Sequence, residues 1–321
     1  MEASKKSSIV KNKKSFPLMG RFGTLSSEKQ NNISGYLFIS PFIIGFLSFI
    51  VVPMAMSLYM SFHDYDMLSS PEWVGLDNFT ELFTEDSKFI QSLKVTFTYV
   101  LTAVPLRLIT ALAVALLINR KSKLSGAYRV LFYLPSVIGG SVAVSIMWRN
   151  IFGDTGLING LFTTLGLDPV YFFKHQGSAL GVLVLLAAWQ FGSSMLVFLS
   201  GLKNIPNEYY EAAEMDGAGK IRQFFSITMP SLSPILFFNI VMQTIQSFLT
   251  FTPAYIISNG SGSPMNGTLV YSLYVYQKAF SEFKMGYASA MAWVILVIIG
   301  TVTLLLFATS KFWVHSESGE G

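Results

Sequence analysis

Apolar and polar positions fall in long alternating blocks along this chain. Six predominantly apolar blocks lie near 35–62, 89–119, 127–150, 178–201, 233–257 and 286–312. As helices, each is long enough to cross a hydrocarbon core of about 30 Å, which takes roughly 20 residues. Pro41, Pro53, Pro105 and Pro135 lie inside these blocks, where neighbouring helices can re-satisfy the backbone groups that proline frees. The second block opens polar, so a tilted span or one partly outside the bilayer is expected. The pattern predicts an all-α membrane protein with six transmembrane helices. Residues 1–33 read as a flexible basic tail, 34–313 as the six-helix transmembrane domain and 314–321 as a short C-terminal tail.

One polar block differs from an ordinary chain reversal. Leu202 to Ser231 is charged, yet Tyr210, Ala213, Ala218, Ile221, Phe224 and Phe225 recur at helical spacing. It carries Gly217 and Gly219 and ends at Pro230. A loop that folds into helices at the bilayer surface is built to touch something. Glu211 and Asp216 have no neighbouring His, Ser or metal set, so paired-carboxylate catalysis is not expected.

Composition narrows the class. Hydrophobic residues make up 52% and charged residues 12%, which argues against a water-soluble domain. The 28 Phe and 14 Tyr suit lipid-facing surfaces and interfacial belts. With no cysteine, disulfides and thiolate metal sites are excluded. His63, His175 and His315 lie far apart near segment ends and read as solvated interfacial residues, so no metal site is expected.

Lys and Arg give an orientation. Lys5, Lys6, Lys11, Lys13, Lys14, Arg21 and Lys29 precede the first span. Arg120, Lys121, Lys123 and Arg129 lie between the second and third, Lys203, Lys220 and Arg222 in the helical loop, and Lys311 after the last. The opposite loops hold only Lys88, Arg149, Lys174, Lys278 and Lys284. The positive-inside rule therefore places both termini and the helical loop in the cytoplasm of a multi-pass protein. The first span reads as an uncleaved signal anchor. For the basic tail, contact with anionic membrane lipid and simple solvation both stay open. The opposite loops, near 63–88, 151–177 and 258–285, are too short for an independent domain, so capture of a large ligand requires another protein.

Ion-coupled carriers place carboxylates or histidines within their spans. The central parts of spans three to six hold none, and only Lys94 and Arg107 lie well inside a span. Proton or sodium coupling is thus unexpected; energy comes from elsewhere, or the protein is passive. Lys94 can snorkel. Arg107 needs a carbonyl, another partner or an aqueous cavity, in a structural role or beside an anion path. Polar positions in apolar helices mark a solute path. Asn239, Gln243, Gln246, Ser247 and Thr250 share one helical face of span five. Span four offers Trp189, Gln190, Ser193 and Ser194, and span three Ser136, Gly139, Gly140 and Ser141. Small and polar residues also mediate ordinary helix packing, so the residues alone leave both readings standing.

Tyr210-Glu211-Ala212-Ala213, then Asp216-Gly217-Ala218, Phe225, Ile227 and Pro230, resemble the EAA loop of binding-protein-dependent (type I) ABC importers. Glu211, Gly217 and Ile227 match in register, and Met229 stands where leucine is usual. Trp73 to Phe79, Gly201 to Pro206 and Asn259 to Pro264 resemble segments of the sugar-importer branch, the last with an insertion. The arrangement is similar to the larger maltose-transporter permease without its extra N-terminal spans and periplasmic insertion. The resemblance implies a type I importer permease fold in a bacterial cytoplasmic (inner) membrane, and no enzymatic activity in this chain. It implies a second homologous permease subunit, two cytoplasmic ABC ATPase subunits that bind ATP and Mg, and an extracytoplasmic solute-binding protein. No cofactor in this chain and no nucleic-acid partner are expected. It implies that Tyr210, Glu211, Ala212, Ala213, Asp216, Gly217, Ala218 and Phe224 form coupling helices in an ATPase cleft, with Tyr210 and Phe224 as apolar anchors and Glu211 as the charge for a basic rim. Aligned on that family, Ser136, Gly140, Trp189, Gln190, Ser193, Gln246, Ser247 and Thr250 fall at sugar-contacting positions, and Gln243 joins them from the helical face. The expected solute is an oligosaccharide or sugar derivative, an acidic (uronate) one included. The alternatives are a passive channel or self-contained carrier, a signalling scaffold, and an importer of a non-sugar solute such as a glycerol phosphate.

Overall fold

A computed structural model of the chain describes residues 27–119 and 125–315. Most of the N-terminal basic cluster, Arg120, Lys121, Lys123 and the last six residues of the C-terminal tail lie outside the described residues. The chain divides into two units at Ser57/Leu58.

The first unit, described from Ser27, is one helical run. It comprises α1 (Ser27–Phe46), a π-helical turn at Leu47–Val51 and the start of α2 (Val52–Met60). A proline N–H is missing and its ring crowds the carbonyl four residues earlier. The π-turn ends just before Pro53, and Val52 N–H reaches back to the Leu47 carbonyl, a wider loop that relieves this crowding. From Gly35 onward the run has no polar face for water, as suits a helix in hydrocarbon.

The second unit opens with a two-stranded antiparallel ribbon, β1 (His63–Asp64) and β2 (Glu72–Trp73), with His63 opposite Trp73. Helices follow: α3 (Asp77–Thr84), α4 (Ser87–Ile118), α5 (Ser125–Ile138), α6 (Val142–Ile151), α7 (Leu157–Thr164), α8 (Gln176–Trp189) and α9 (Gly192–Asn204). Then come α10 (Asn207–Met215), α11 (Lys220–Gln223), a π-turn at Phe224–Thr228 and α12 (Met229–Phe248). The chain closes with α13 (Thr252–Ile257), α14 (Tyr271–Tyr276), a π-turn at Gln277–Ser281 and α15 (Met285–Ser310).

Among the described residues, four helices are long and apolar enough to span a membrane, and two bent pairs bring the number to six. The predicted spans therefore stand, with three corrections. Blocks three and four are each broken, α5 to α6 by 97° and α8 to α9 by 42°. Span five starts inside the polar loop, because Lys220–Phe248 runs as one helix through its π-turn. It stops at Phe248, so Thr250 does not continue the face of Asn239 and Gln243. His63 is also corrected. It is buried, with Nδ1 2.8 Å from the Tyr59 carbonyl and its ring against Tyr59 and Trp73.

Helix α4 is the centre of this unit and packs against α8, α9, α12 and α14. Its buried stripe, Ser92, Thr96, Tyr99, Ala103, Arg107, Ala111 and Ala115, follows the three-to-four residue period of one helix face. Three alanines in that stripe let neighbouring helices approach closely, which is how apolar helices associate without a hydrophobic driving force.

Candidate coupling knuckle and transport path

The loop after α9 folds as a clamped knuckle. Helix α10 ends in a Schellman motif: Ala218 N–H bonds the Ala213 carbonyl at 2.8 Å and Gly217 N–H the Glu214 carbonyl at 3.0 Å. Gly217 has φ +76°, the left-handed conformation that this motif requires. The chain then turns back. Gln223 is buried and its amide donates to the Ala218 carbonyl at 3.0 Å. Lys220 pairs with Glu214 across the bend. That hydrogen bond and the lysine charge hold the Glu214 carboxyl below its ordinary value. Tyr210 Oη lies 2.9 Å from Thr228 Oγ1, fixing α10 to the π-turn in the first part of span five.

The anchor expectation changes with this geometry. Tyr210 turns inward onto the core and Phe224 is half-buried. The exposed apolar side chains are instead Tyr209, Met215, Ile221 and Phe225, with Met215 89% and Ile221 78% exposed. Around them Glu208, Glu211, Ala212, Asp216 and Gly217 are exposed, while Ala213 and Ala218 are half-buried.

The two broken spans meet at their breaks. Ser141 restarts the third span as the N-cap of α6, its Oγ accepting from Val144 N–H at 3.3 Å. Gln190 sits at the end of α8 and its amide donates to the Gly139 carbonyl at 3.0 Å. Gly192 lies against the Phe132 carbonyl, Tyr133 and Ser136 so closely that an added Cβ would sit 2.5 Å from the nearest atom. Non-helical backbone at membrane depth is tolerated where protein or a wet cavity covers it.

Arg107 holds this arrangement from α4. Its Nε donates to the Ala187 carbonyl at 2.6 Å and its Nη1 to Gln243 Oε1. Gln243 Nε2 passes the chain on to Ser194 Oγ at 3.1 Å. Ala187 lies in the last turn of α8, where its carbonyl accepts only a 3.2 Å backbone bond from the Gln190 N–H and the helix end carries partial negative charge. A cation there needs no carboxylate, which explains how Arg107 is buried to 9% exposure in spans without acids.

The predicted path residues separate by exposure. Gly140, Ser193 and Gln246 are exposed, and Ser136, Trp189, Gln190 and Thr250 are half-buried. Ser136 Oγ donates to the Tyr133 carbonyl at 2.7 Å, Thr250 Oγ1 lies 3.4 Å from Tyr99 Oη, and the Trp189 and Trp148 rings are 5.6 Å apart. Gln243 and Ser247 are buried at 4% exposure each. Gln243 is committed to Arg107 and Ser194, so in this conformation neither offers a surface to solute. Sequence reasoning missed Tyr99, Met215 and the role of Ser194. The signal for Met215 was a large apolar residue just before the Asp216-Gly217 turn.

At the end opposite the knuckle, Asp86 ties three helices together. Its Oδ1 caps α4, accepting from Lys88 N–H at 3.0 Å and Phe89 N–H at 3.1 Å. Its Oδ2 accepts from Tyr274 Oη at 2.5 Å and Tyr287 Oη at 2.6 Å. Burial pushes the carboxyl up, but the two phenol donors, Phe89 N–H and the Lys278 charge outweigh it and hold Asp86 below its ordinary value. Burial, followed by the bonded carboxylate, pushes the Tyr274 phenol up. No group of three or more His, Cys, Asp or Glu able to hold a metal occurs among the described residues.

Comparison with known proteins follows this geometry. Residues 21–314 match the family described as binding-protein-dependent transport system inner membrane component. The chain is 61% identical over 295 residues to the probable ABC transporter permease protein YesP of Bacillus subtilis (strain 168), covering 92% of this chain and 96% of the relative. It is 32% identical to the arabinooligosaccharides transport system permease protein AraP of the same organism, over 89% of this chain and 90% of that one. Its fold is similar to a chain in the crystal structure of a bacterial ABC transporter involved in the import of the acidic polysaccharide alginate. There the TM-score is 0.71 at 23% identity, over 88% of this chain and 97% of that chain. With the family matched across nearly its whole length and the EAA knuckle in place, the chain belongs to the binding-protein-dependent inner membrane components, the permease subunits of ABC transporters.

Proposed function

We propose that this permease forms one half of the translocation path for an oligosaccharide or sugar derivative, in an importer driven by ATP hydrolysis on partner subunits. As a permease of its family the chain is a transport subunit and not an enzyme. The carrying observation is mechanical. The knuckle is clamped at Tyr210, Gln223 and Lys220, and α11 continues into span five without a break. A push on Met215, Ile221 or Phe225 therefore moves span five as a rod rather than flexing a loop. These side chains, ringed by Glu208, Glu211 and Asp216, suit an apolar cleft with a basic rim on a cytoplasmic ABC ATPase. Two such ATPases, holding ATP and Mg, a sister permease and an extracytoplasmic binding protein complete the machine. Both termini lie in the cytoplasm, by the Lys and Arg bias.

The sugar reading draws on the relative named for arabinooligosaccharides and on the side chains at the breaks. Trp189 offers a ring, and Gln190, Gln246, Ser136, Ser193 and Thr250 offer hydrogen bonds around Gly140. Gln243 and Ser247 stand behind them as support. Helix breaks at membrane depth are where transporters expose polar groups to solute.

Affinity purification of the native assembly tests coupling. Glu211→Lys should release the ATPase and stop uptake, while the sister permease still co-purifies. An ATPase retained at wild-type level, together with normal uptake, would sink the reading.

A further inference from the structure

On the side opposite the knuckle, four aromatic rings gather where span five ends. Tyr276 lies 5.0 Å from Phe251, 5.4 Å from Tyr255 and 5.1 Å from Phe280, centroid to centroid. Phe251 and Tyr255 are 5.5 Å apart. Phe280 is 53% exposed and the other three are half-buried. Phe251 directly follows Thr250, so the group adjoins the proposed path, and α13, which carries Tyr255, packs on α6.

Tyr99, Tyr210, Tyr271, Tyr274 and Tyr287 each place the hydroxyl within bonding distance of a protein partner. Among the described residues, Tyr255 and Tyr276 are half-buried and, as at Tyr65, their hydroxyls have no such partner. Phenylalanine would pack as well here, and a half-buried tyrosine ordinarily finds a partner for its hydroxyl. An interfacial belt would scatter its tyrosines around a lipid-facing rim. These two instead meet ring to ring, between α13 and α14.

We propose that this aromatic group is a receiving subsite for one pyranose or furanose ring of the incoming oligosaccharide, met before the helix breaks. Sugar C–H faces are apolar and stack on aromatic rings, and sugar hydroxyls would bond Tyr255 Oη and Tyr276 Oη. Phe280 is the outermost platform and Phe251 hands the sugar on towards Thr250. This inference rests on the saccharide reading above.

The test uses the complete transporter in proteoliposomes with saturating binding protein. The probe is a reducing-end-labelled pool of di- to hexasaccharides from starch and plant cell-wall hydrolysates. The double variant Tyr255→Phe/Tyr276→Phe keeps both rings and removes only the hydroxyls; Phe280→Ala removes the exposed platform. The double variant should cut initial saccharide uptake about 5-fold, with complex assembly and basal ATP hydrolysis unchanged. Phe280→Ala should cut it about 3-fold. Wild-type uptake in both variants overturns the subsite and leaves the saccharide reading intact. A wild-type complex that hydrolyses ATP with its binding protein but accumulates no labelled saccharide overturns both.

Discussion

Arg107 and Gln243 allow a sharp energetic test. Replacing Arg107 by Met keeps much of the side-chain volume but removes the donors to the Ala187 carbonyl and to Gln243. Hydrogen bonds to charged groups contribute about 1.5–3 kcal/mol in water-soluble proteins. Interhelical bonds measured in membranes run lower, about 0.6 kcal/mol on average and at most about 1.7. The membrane figure governs here, raised towards its upper end by the charge, so the Arg107–Gln243 bond is set at about 1–2 kcal/mol. Gln243→Leu leaves a buried guanidinium with one acceptor fewer, which is costly because its charge stays behind. Each single variant should therefore lose more than the bond itself. The double variant Arg107→Met/Gln243→Leu should cost less than the two single losses added together, since no guanidinium remains for the missing glutamine to orphan. A double-mutant cycle on thermal unfolding of the purified complex in detergent should give a coupling of about 1–2 kcal/mol. Additivity within about 0.5 kcal/mol would refute the claim that the two side chains act as a unit.

Three further outcomes follow from the geometry. Gly217→Ala forces a Cβ into the left-handed region and should cost about 1–2 kcal/mol locally, slowing ATP-driven uptake with little change in the melting of the spans. Comparing uptake with thermal unfolding of the same variant checks this. Gly192→Ala puts a methyl into the Phe132 carbonyl and Tyr133, so overpacking of about 1–3 kcal/mol should lower the melting temperature; unchanged melting would mean the spans do not cross this tightly. Asp86 has a lowered pKa in the fold, so its contribution is fully present above the ordinary aspartate value of 3.8 and is lost as pH falls through the lower folded value. From this group, stability measured by detergent melting should be flat from about pH 5 to 8 and fall only below about pH 4, and Asp86→Asn should remove that acid limb.

The features readable in the sequence were local ones. A span declares itself by an unbroken apolar block, and Gly217 by a glycine placed where a helical period stops. Both signals survive whatever the neighbours do. The sharp break in span three also left a local trace: Gly139-Gly140-Ser141 is a helix stop followed by a capping serine, set within apolar residues. The milder break in span four left none, because it depends on Gln190 reaching across to Gly139 and on Arg107 reaching in from another helix.

Facing direction was the other quantity hidden from sequence. Tyr210 and Ile221 both lie in the helical pattern of the knuckle, and periodicity cannot tell which of them points inward. The choice is made by Thr228, eighteen residues away from Tyr210, whose hydroxyl gives the phenol a partner below the surface. Polar residues within spans pose the same ambiguity in stronger form. Gln243 and Gln246 are three positions apart on one helix, yet one is buried and the other exposed. Their fates diverge because a buried Arg107 must satisfy its donors and Gln243 is within its reach. An isolated cation in a helix bundle therefore consumes polar side chains that would otherwise count as path lining, and its partners have to be assigned before the path is drawn.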